Sequence, residues 1–411
     1  MRLHNFLFLI VIFSSVLIES KKMRTVPRME IFKDKSWLNQ RGWFKTVPLE
    51  YILKINPQVN YQQVVDKVYF DYPEFALSSK FPHKGYFDEL FMLSVPQGKV
   101  QGMCGHVFIQ NLLSDEMARG DRFECLVEIP KVPEQNIKKV SGKVAVIAQH
   151  GVGGKWANYY HAIYEVLGRL ALLEIAGIEY DWLYVPLDKK YVREALFLWG
   201  IDFKKIIAPT DEYFAIQADE LIVPSMVINT SCGHAHAGNF QHPITSKYIK
   251  EKLLLGAKKE NIDTSSFSKK VFISRKDSHN ARRILNEDEI FKLFEAKGFK
   301  RYEMSKLSVA EQVLLLHNAE IVVSEQGSGL ANILFCKSDT MVVEIFQALI
   351  DNCFWWVSQM LDLNYIPIKT LPVDADYYAD WRNKNMDYYF KNNILQTNVP
   401  VDEIKKFVDT L

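Results

Sequence analysis

The sequence predicts an α/β protein in which two Rossmann-like domains face each other across a cleft, after a β-rich N-terminal portion. Three observations carry that reading. Short apolar strand patterns alternate with helix-period patterns from Val140 to Thr370, as parallel sheets covered by helices require. The alternation restarts once, after the segment 242–256. Glycine-bearing junctions follow two of the strands, where an open parallel sheet binds its ligands.

Residues 23–130 read as mixed and irregular, punctuated by Pro27, Pro48, Pro57, Pro73, Pro82 and Pro96. Within them "FMLSVP" (91–96) and "HVFIQNLL" (106–113) alternate as strands around a "QGK" turn. "KVAVIAQ" (143–149) is the next strand. Helical spacing then runs over 159–177 and closes on Gly177, before strand 181–186, helix 191–200 and strand 205–209. The second block, after 242–256, opens with "KKVFISR" (269–275) as strand. Asn286 with Glu289, and Ser308 with Glu311, have capping-box spacing for two helices. Strands "IVVSE", "MVVEIF" (341–346) and "YIPIKT" are separated by helices "SGLANILF" and "CFWWVSQML". The segment 371–411 reads as a helical tail packing back on the body.

Fifty basic residues against forty-nine acidic ones leave a net charge of +1, which gives no electrostatic footprint for nucleic acid. Five cysteines, at 104, 125, 232, 336 and 353, lack paired spacing and fit reduced thiols. Residues 1–22 hold an apolar run, 6–18, shorter than the ~20 residues of a comfortable membrane span. Two readings stay open, ahead of an ordinary buried N-terminal helix. As a cleaved signal peptide it implies a secreted or periplasmic protein. As a retained anchor, Lys21, Lys22, Arg24 and Arg28 outweigh Arg2 and place the remainder in the cytoplasm.

The chemistry concentrates at "SEQGSGLAN" (324–332). Gly327 and Gly329 let a ligand approach the backbone, and a helix starting near Ser328 offers unpaired N–H groups. Such a helix end favours an anion by about 0.3–1 kcal/mol, more when buried. Arg275 also ends a strand and can pair with phosphate, and Glu344 can accept hydrogen bonds from sugar hydroxyls. Together they describe a nucleotide-diphosphate pocket. "CGHAHAGNFQH" (232–242) puts Cys232, His234 and His236 on one face of an extended chain, near His242. A metal site and an acceptor-binding loop both remain open there. "DAD" (374–376) reads as a solvated loop. "HGVGGKW" (150–156) is not a P-loop, with Gln149 where the first glycine belongs and Trp156 in place of Ser/Thr. "QGSGL" fails the nucleophile-elbow pattern.

Residues 90–347 resemble glycosyltransferase family 61. The resemblance rests on "VFISR", "EQVLLLHNAEIVV", "QGSGLANILF" and "VVEIF", on "NYYHAIYEVLGRL" in the first block, and on "LFMLSVPQGKVQGMCGHVFI" before it. It implies an inverting transferase of GT-B type, with 23–240 on the acceptor side and 241–370 binding a nucleotide-sugar donor, commonly UDP-linked. It further implies a glycan or glycoprotein acceptor and no obligatory metal or cofactor. Arg275, Gly327, Gly329, Asn332 and Glu344 match the donor motif, with Ser328 between the glycines. His161 and Arg169 match the first-domain motif, and His234 and His236 join the acceptor side. His161 is either the base for the acceptor hydroxyl or a loop-orienting residue. Gln326 stands where the family usually has histidine; an amide can donate a hydrogen bond to a leaving phosphate but carries no proton. A nucleotide- or glycan-binding protein that has lost its chemistry is therefore the alternative.

Overall fold

Alternation in the sequence becomes two separate sheets. The computed structural model describes residues 40–41, 44–47, 49–74, 76, 84–109, 112–114, 129–149, 152–154, 157–229, 240–277, 283–346, 352–370 and 396–411. The apolar run 6–18, Cys125, Cys232, His234, His236, and Asp374 with Asp376 lie outside these residues. Among the described residues no helix is long and apolar enough to cross a membrane.

The first sheet contains β1 (Asn60–Val65), β2 (Leu90–Pro96), β3 (Lys99–Gln101), β4 (His106–Phe108), β5 (Lys138–Val146), β6 (Trp182–Tyr184), β7 (Ile206–Ile207) and β8 (Ala215–Pro224). Its order is β7-β6-β5-β8-β2-β1, with β3 also on β8 and β4 outside β3. Strands β5 to β8 pair in parallel, whereas β2 and β3 meet β8 antiparallel. The expected mainly parallel sheet is thus a mixed one. Its hub, β8, carries no strand signal in the sequence, because Asp219 and Glu220 interrupt its apolar run. Both acids have partners: Asp219 accepts from the Gly142 N–H and the Ser141 hydroxyl, and Glu220 from the Ser94 hydroxyl at 2.5 Å.

Two helices follow from this block. Helix α1 runs through Tyr159–His161, one π-helical turn over Ala162–Val166, and Leu167–Ile175; α2 is Lys190–Trp199. The second block begins with α3 (Pro243–Lys259) and continues β9 (Lys270–Ser274), α4 (Glu287–Glu295), β10 (Lys300–Glu303), α5 (Val309–Asn318), β11 (Ile321–Glu325), β12 (Met341–Phe346), α6 (Cys353–Met360), β13 (Asn364–Lys369) and α7 (Val401–Val408). The strand order is β10-β9-β11-β12-β13, parallel throughout. Val322, Val342 and their neighbours are buried on both faces, which is why these strands read as continuous apolar runs.

One hydrophobic core joins the blocks. It takes in Leu167, Leu170 and Leu173 of α1, Leu196 of α2, Leu253 of α3, Val313 and Leu316 of α5, and Leu330, Ala331, Ile333, Leu334 and Phe335. Helix α3 comes so near α2 that a Cβ at Gly256 would lie 2.1 Å from the Leu198 carbonyl oxygen. The capping box at Ser308 and Glu311 forms as expected. The one at Asn286 does not. Its amide instead exchanges hydrogen bonds with the backbone of Val399 at 2.8 and 2.9 Å. That bond docks the C-terminal segment, where α7 sets Ile404 and Val408 against Ile290 and Phe294 of α4.

Candidate active site

Parallel strands end on one edge, and the register of the second sheet levels the residues that follow. Ile273 lies opposite Ser324, and Ser324 opposite Glu344. Arg275 therefore follows β9 at the same height at which Gln326 follows β11. Gly327 comes next, with extended backbone at φ 167° and ψ 171°. A Cβ placed on it would sit 1.2 Å from Nη1 of Arg275 and 2.3 Å from its Cζ. The guanidinium rests on the bare Cα, and Arg275 is only 4% exposed. Arg275 and the glycine turn thus lie side by side. Gly329 has a different neighbour, since a Cβ there would meet Ile273 Cγ2 at 3.0 Å. Its missing side chain lets the turn pack on the sheet.

A buried carboxylate fixes the arginine's backbone. Glu287, in the first turn of α4, accepts from the Ser274 hydroxyl at 2.7 Å and from the Arg275 N–H at 3.2 Å, and Arg301 lies 3.3 Å away. Nearby, Glu325 accepts from the Ile284 N–H at 3.0 Å. Removing Glu287 strands two donors, each worth about 1–3 kcal/mol when left buried without a partner. Glu287→Ala is therefore expected to lower the denaturant midpoint of unfolding, measured by circular dichroism. An unchanged midpoint would show that the strand end holds itself.

After Gly327 the chain forms a 3-10 helix, Ser328–Phe335, where an α-helix was expected. The reason lies in its carbonyls. Gly329 and Ala331 would accept from residues four ahead in an α-helix, but here they accept from the Asn332 amide at 3.1 Å and the Tyr164 hydroxyl at 2.9 Å. Asn332 is fully buried and spent inside the protein: Oδ1 accepts from the Tyr159 hydroxyl at 2.7 Å and Nδ2 donates to Gln312 at 2.9 Å. It braces the turn against α1, which corrects its expected place among donor contacts. Glu344 is likewise buried two residues below the strand end, accepting from the Tyr365 hydroxyl at 2.5 Å. Tyr365 itself lies opposite Val342, further from that edge than Glu344. Gln326 is nearly buried, and its N–H donates to the Ile345 carbonyl at 3.1 Å.

On the first block, Asn158 caps α1 by accepting from the Tyr160 N–H at 2.8 Å. His161 follows in the first turn, its Nδ1 2.5 Å from Oε1 of Glu165. Glu165 is wholly buried in the π-helical turn, and Gln149 donates to its other oxygen. Arg169 donates to the Ala148 carbonyl at 2.9 Å. Burial pushes its guanidinium down to about 10, opposed by the charge of Glu165. At 2% exposure Arg169 supports the end of β5, which corrects its expected acceptor contact. Glu165 was overlooked in the sequence although its i, i+4 spacing from His161 was readable. Asn352 carried no signal at all. It precedes α6, fully buried, with neither amide atom hydrogen-bonded. His242 accepts from the Ile244 N–H at 3.3 Å and caps α3. Burial pushes its imidazole down to about 4. No cluster of three metal-ligating side chains occurs among the described residues.

Part of the chain resembles known proteins. Residues 159–343 match the family model Glycosyltransferase 61. Over 107 residues the chain is 26% identical to the EGF domain-specific O-linked N-acetylglucosamine transferase of Mus musculus, covering 24% of this chain and 20% of that protein. It is 24% identical over 94 residues to the Gallus gallus protein of the same name, covering 22% and 18%. The matched segments thus span about a fifth of those relatives. Residues 159–343, which hold His161, Arg275 and the glycine turn, are thus similar to glycosyltransferase family 61.

Proposed function

We propose that the protein is an inverting glycosyltransferase of GT-B type, moving a sugar from a UDP-linked donor to a hydroxyl of a glycan or glycoprotein. The observation that supports this most is the Arg275 guanidinium seated on Gly327 at the carboxyl edge of three adjacent parallel strands. Residues 241–370 take the donor in this reading. Its diphosphate meets the guanidinium and the N–H groups beginning at Ser328, a charge-assisted arrangement. Glu344 and the unpaired amide of Asn352 serve the nucleoside. Residues 23–240 present the acceptor hydroxyl to His161, an imidazole being the usual side chain for general-base catalysis. Gln326 donates a hydrogen bond to the departing phosphate. No metal or cofactor is needed in this scheme, because protein groups take the leaving charge.

The names of the two relatives make N-acetylglucosamine the first sugar to test and a protein hydroxyl the first acceptor. Residues 6–18 would anchor the protein with its catalytic portion in the cytoplasm, or direct it out of the cell before cleavage. Calorimetry with UDP, paired with a transfer and hydrolysis assay over UDP-sugars, tests the proposal. Binding with turnover is expected. The Gln326 substitution favours one alternative, a binding protein of the same fold, for which binding without turnover across the panel would speak. Absence of UDP binding would overturn both.

A further inference from the structure

We propose that Glu165 is a positioning residue for glycosyl transfer, holding His161 as the tautomer with its proton on Nδ1 so that Nε2 receives the proton of the acceptor hydroxyl. The inference deepens the transferase reading and rests on it. An ionised carboxylate only accepts hydrogen bonds. At 2.5 Å from Oε1, Nδ1 must therefore donate, and in a neutral ring that leaves Nε2 as the basic nitrogen. The other carboxylate oxygen is engaged by the Gln149 amide, so the group cannot swing away. Arg169, one turn further along α1, supplies the compensating positive charge.

Among the side chains of its own turn nothing calls for a carboxylate. Ala162, Ile163, Tyr164 and Val166 around it are all buried and belong to the shared core, where a well-packed apolar residue is often at least as stable as a buried ion pair. The turn that carries it is π-helical, a local irregularity found frequently at functional sites. Its location fits as well. Tyr159 and Tyr164, on either side of His161, bond to Asn332 and Ala331 just beyond the glycine turn. His161 therefore sits at the seam between acceptor side and donor turn.

In the step itself the acceptor O–H bond breaks and its proton goes to Nε2, while the oxygen bonds to the anomeric carbon. The bond from that carbon to the diphosphate oxygen breaks, and its electron pair leaves with UDP. Glu165 stays ionised throughout and stabilises the imidazolium until water takes the proton. The other titratable groups nearby are the phenols of Tyr159, Tyr160 and Tyr164, Cys353 of α6 against Tyr164, and Glu194 of α2 against Tyr159. Burial raises the ionisation of Tyr159 and Tyr164 above the ordinary phenol range.

The test uses the full chain and three measurements. Glu165→Gln should keep the UDP affinity of the unaltered protein yet lower kcat on the order of 10²–10⁴-fold. Loss of the anion destabilises the imidazolium, so the acid limb of the kcat/KM profile should move to lower pH. Glu165→Asp should recover part of the rate. Unchanged kcat with an unmoved limb in Glu165→Gln would overturn the proposal. The ¹⁵N shifts of the His161 ring in the unaltered protein decide the matter without any variant: a proton on Nδ1 is expected, and one on Nε2 would overturn it. Failure of the unaltered protein to bind UDP would instead defeat the transferase reading, and the tautomer would still be measurable.

Discussion

Arg275→Ala is expected to weaken UDP binding by about 2–5 kcal/mol, roughly 30- to 4,000-fold in Kd, the range for removing a buried charged partner. The fold should survive. The Arg275 N–H that holds β9 to Glu287 belongs to the backbone and remains, and the guanidinium covers a glycine Cα rather than filling the sheet's core. Calorimetry with UDP, alongside thermal melts, checks both halves of the expectation. Unchanged affinity would place the pocket elsewhere.

Gly327→Ala should produce nearly the same loss by a different route. Its backbone is extended at φ 167°, a conformation any residue adopts, so no strain opposes the methyl group. The obstacle is steric, since the methyl would occupy the position 1.2 Å from Arg275 Nη1. The far end of a long side chain can move aside, so the protein should fold with its guanidinium displaced. The two changes act on one contact, and the double variant should bind UDP no more weakly than Arg275→Ala alone. Such non-additivity is the signature of groups that share an interaction. Additive losses, or ordinary affinity in Gly327→Ala, would show that arginine and turn work separately.

How much of this was legible in advance depended on where each residue's partner lies. Strands β9, β11 and β12 are buried on both faces, and "VFIS", "IVVSE" and "VVEIF" say so directly. The glycine turn and Arg275 could be joined from the chain because parallel strands share an exit edge. Asn332 was misjudged for the opposite reason: a motif fixes a position, whereas the direction of the side chain is set by Tyr159 and Gln312. Asn286 had proper capping spacing, yet Val399, 113 residues away, outcompetes the helix for its amide. Strand β8 hid behind acids whose partners Ser94, Ser141 and Gly142 lie far off in sequence. Gln149 looked like a spoiled phosphate loop until the fold brought it to Glu165.

The leucine-lined wall that α1 and α2 build with α3 and α5 also bears on how the molecule moves. A clamshell motion between the two halves would wet Leu170, Leu253 and Leu316 at once, and burying even one such side chain is worth about 1.5–3 kcal/mol. Denaturation should accordingly proceed as a single event. A fragment starting at residue 241, deprived of its neighbour, should clump rather than fold.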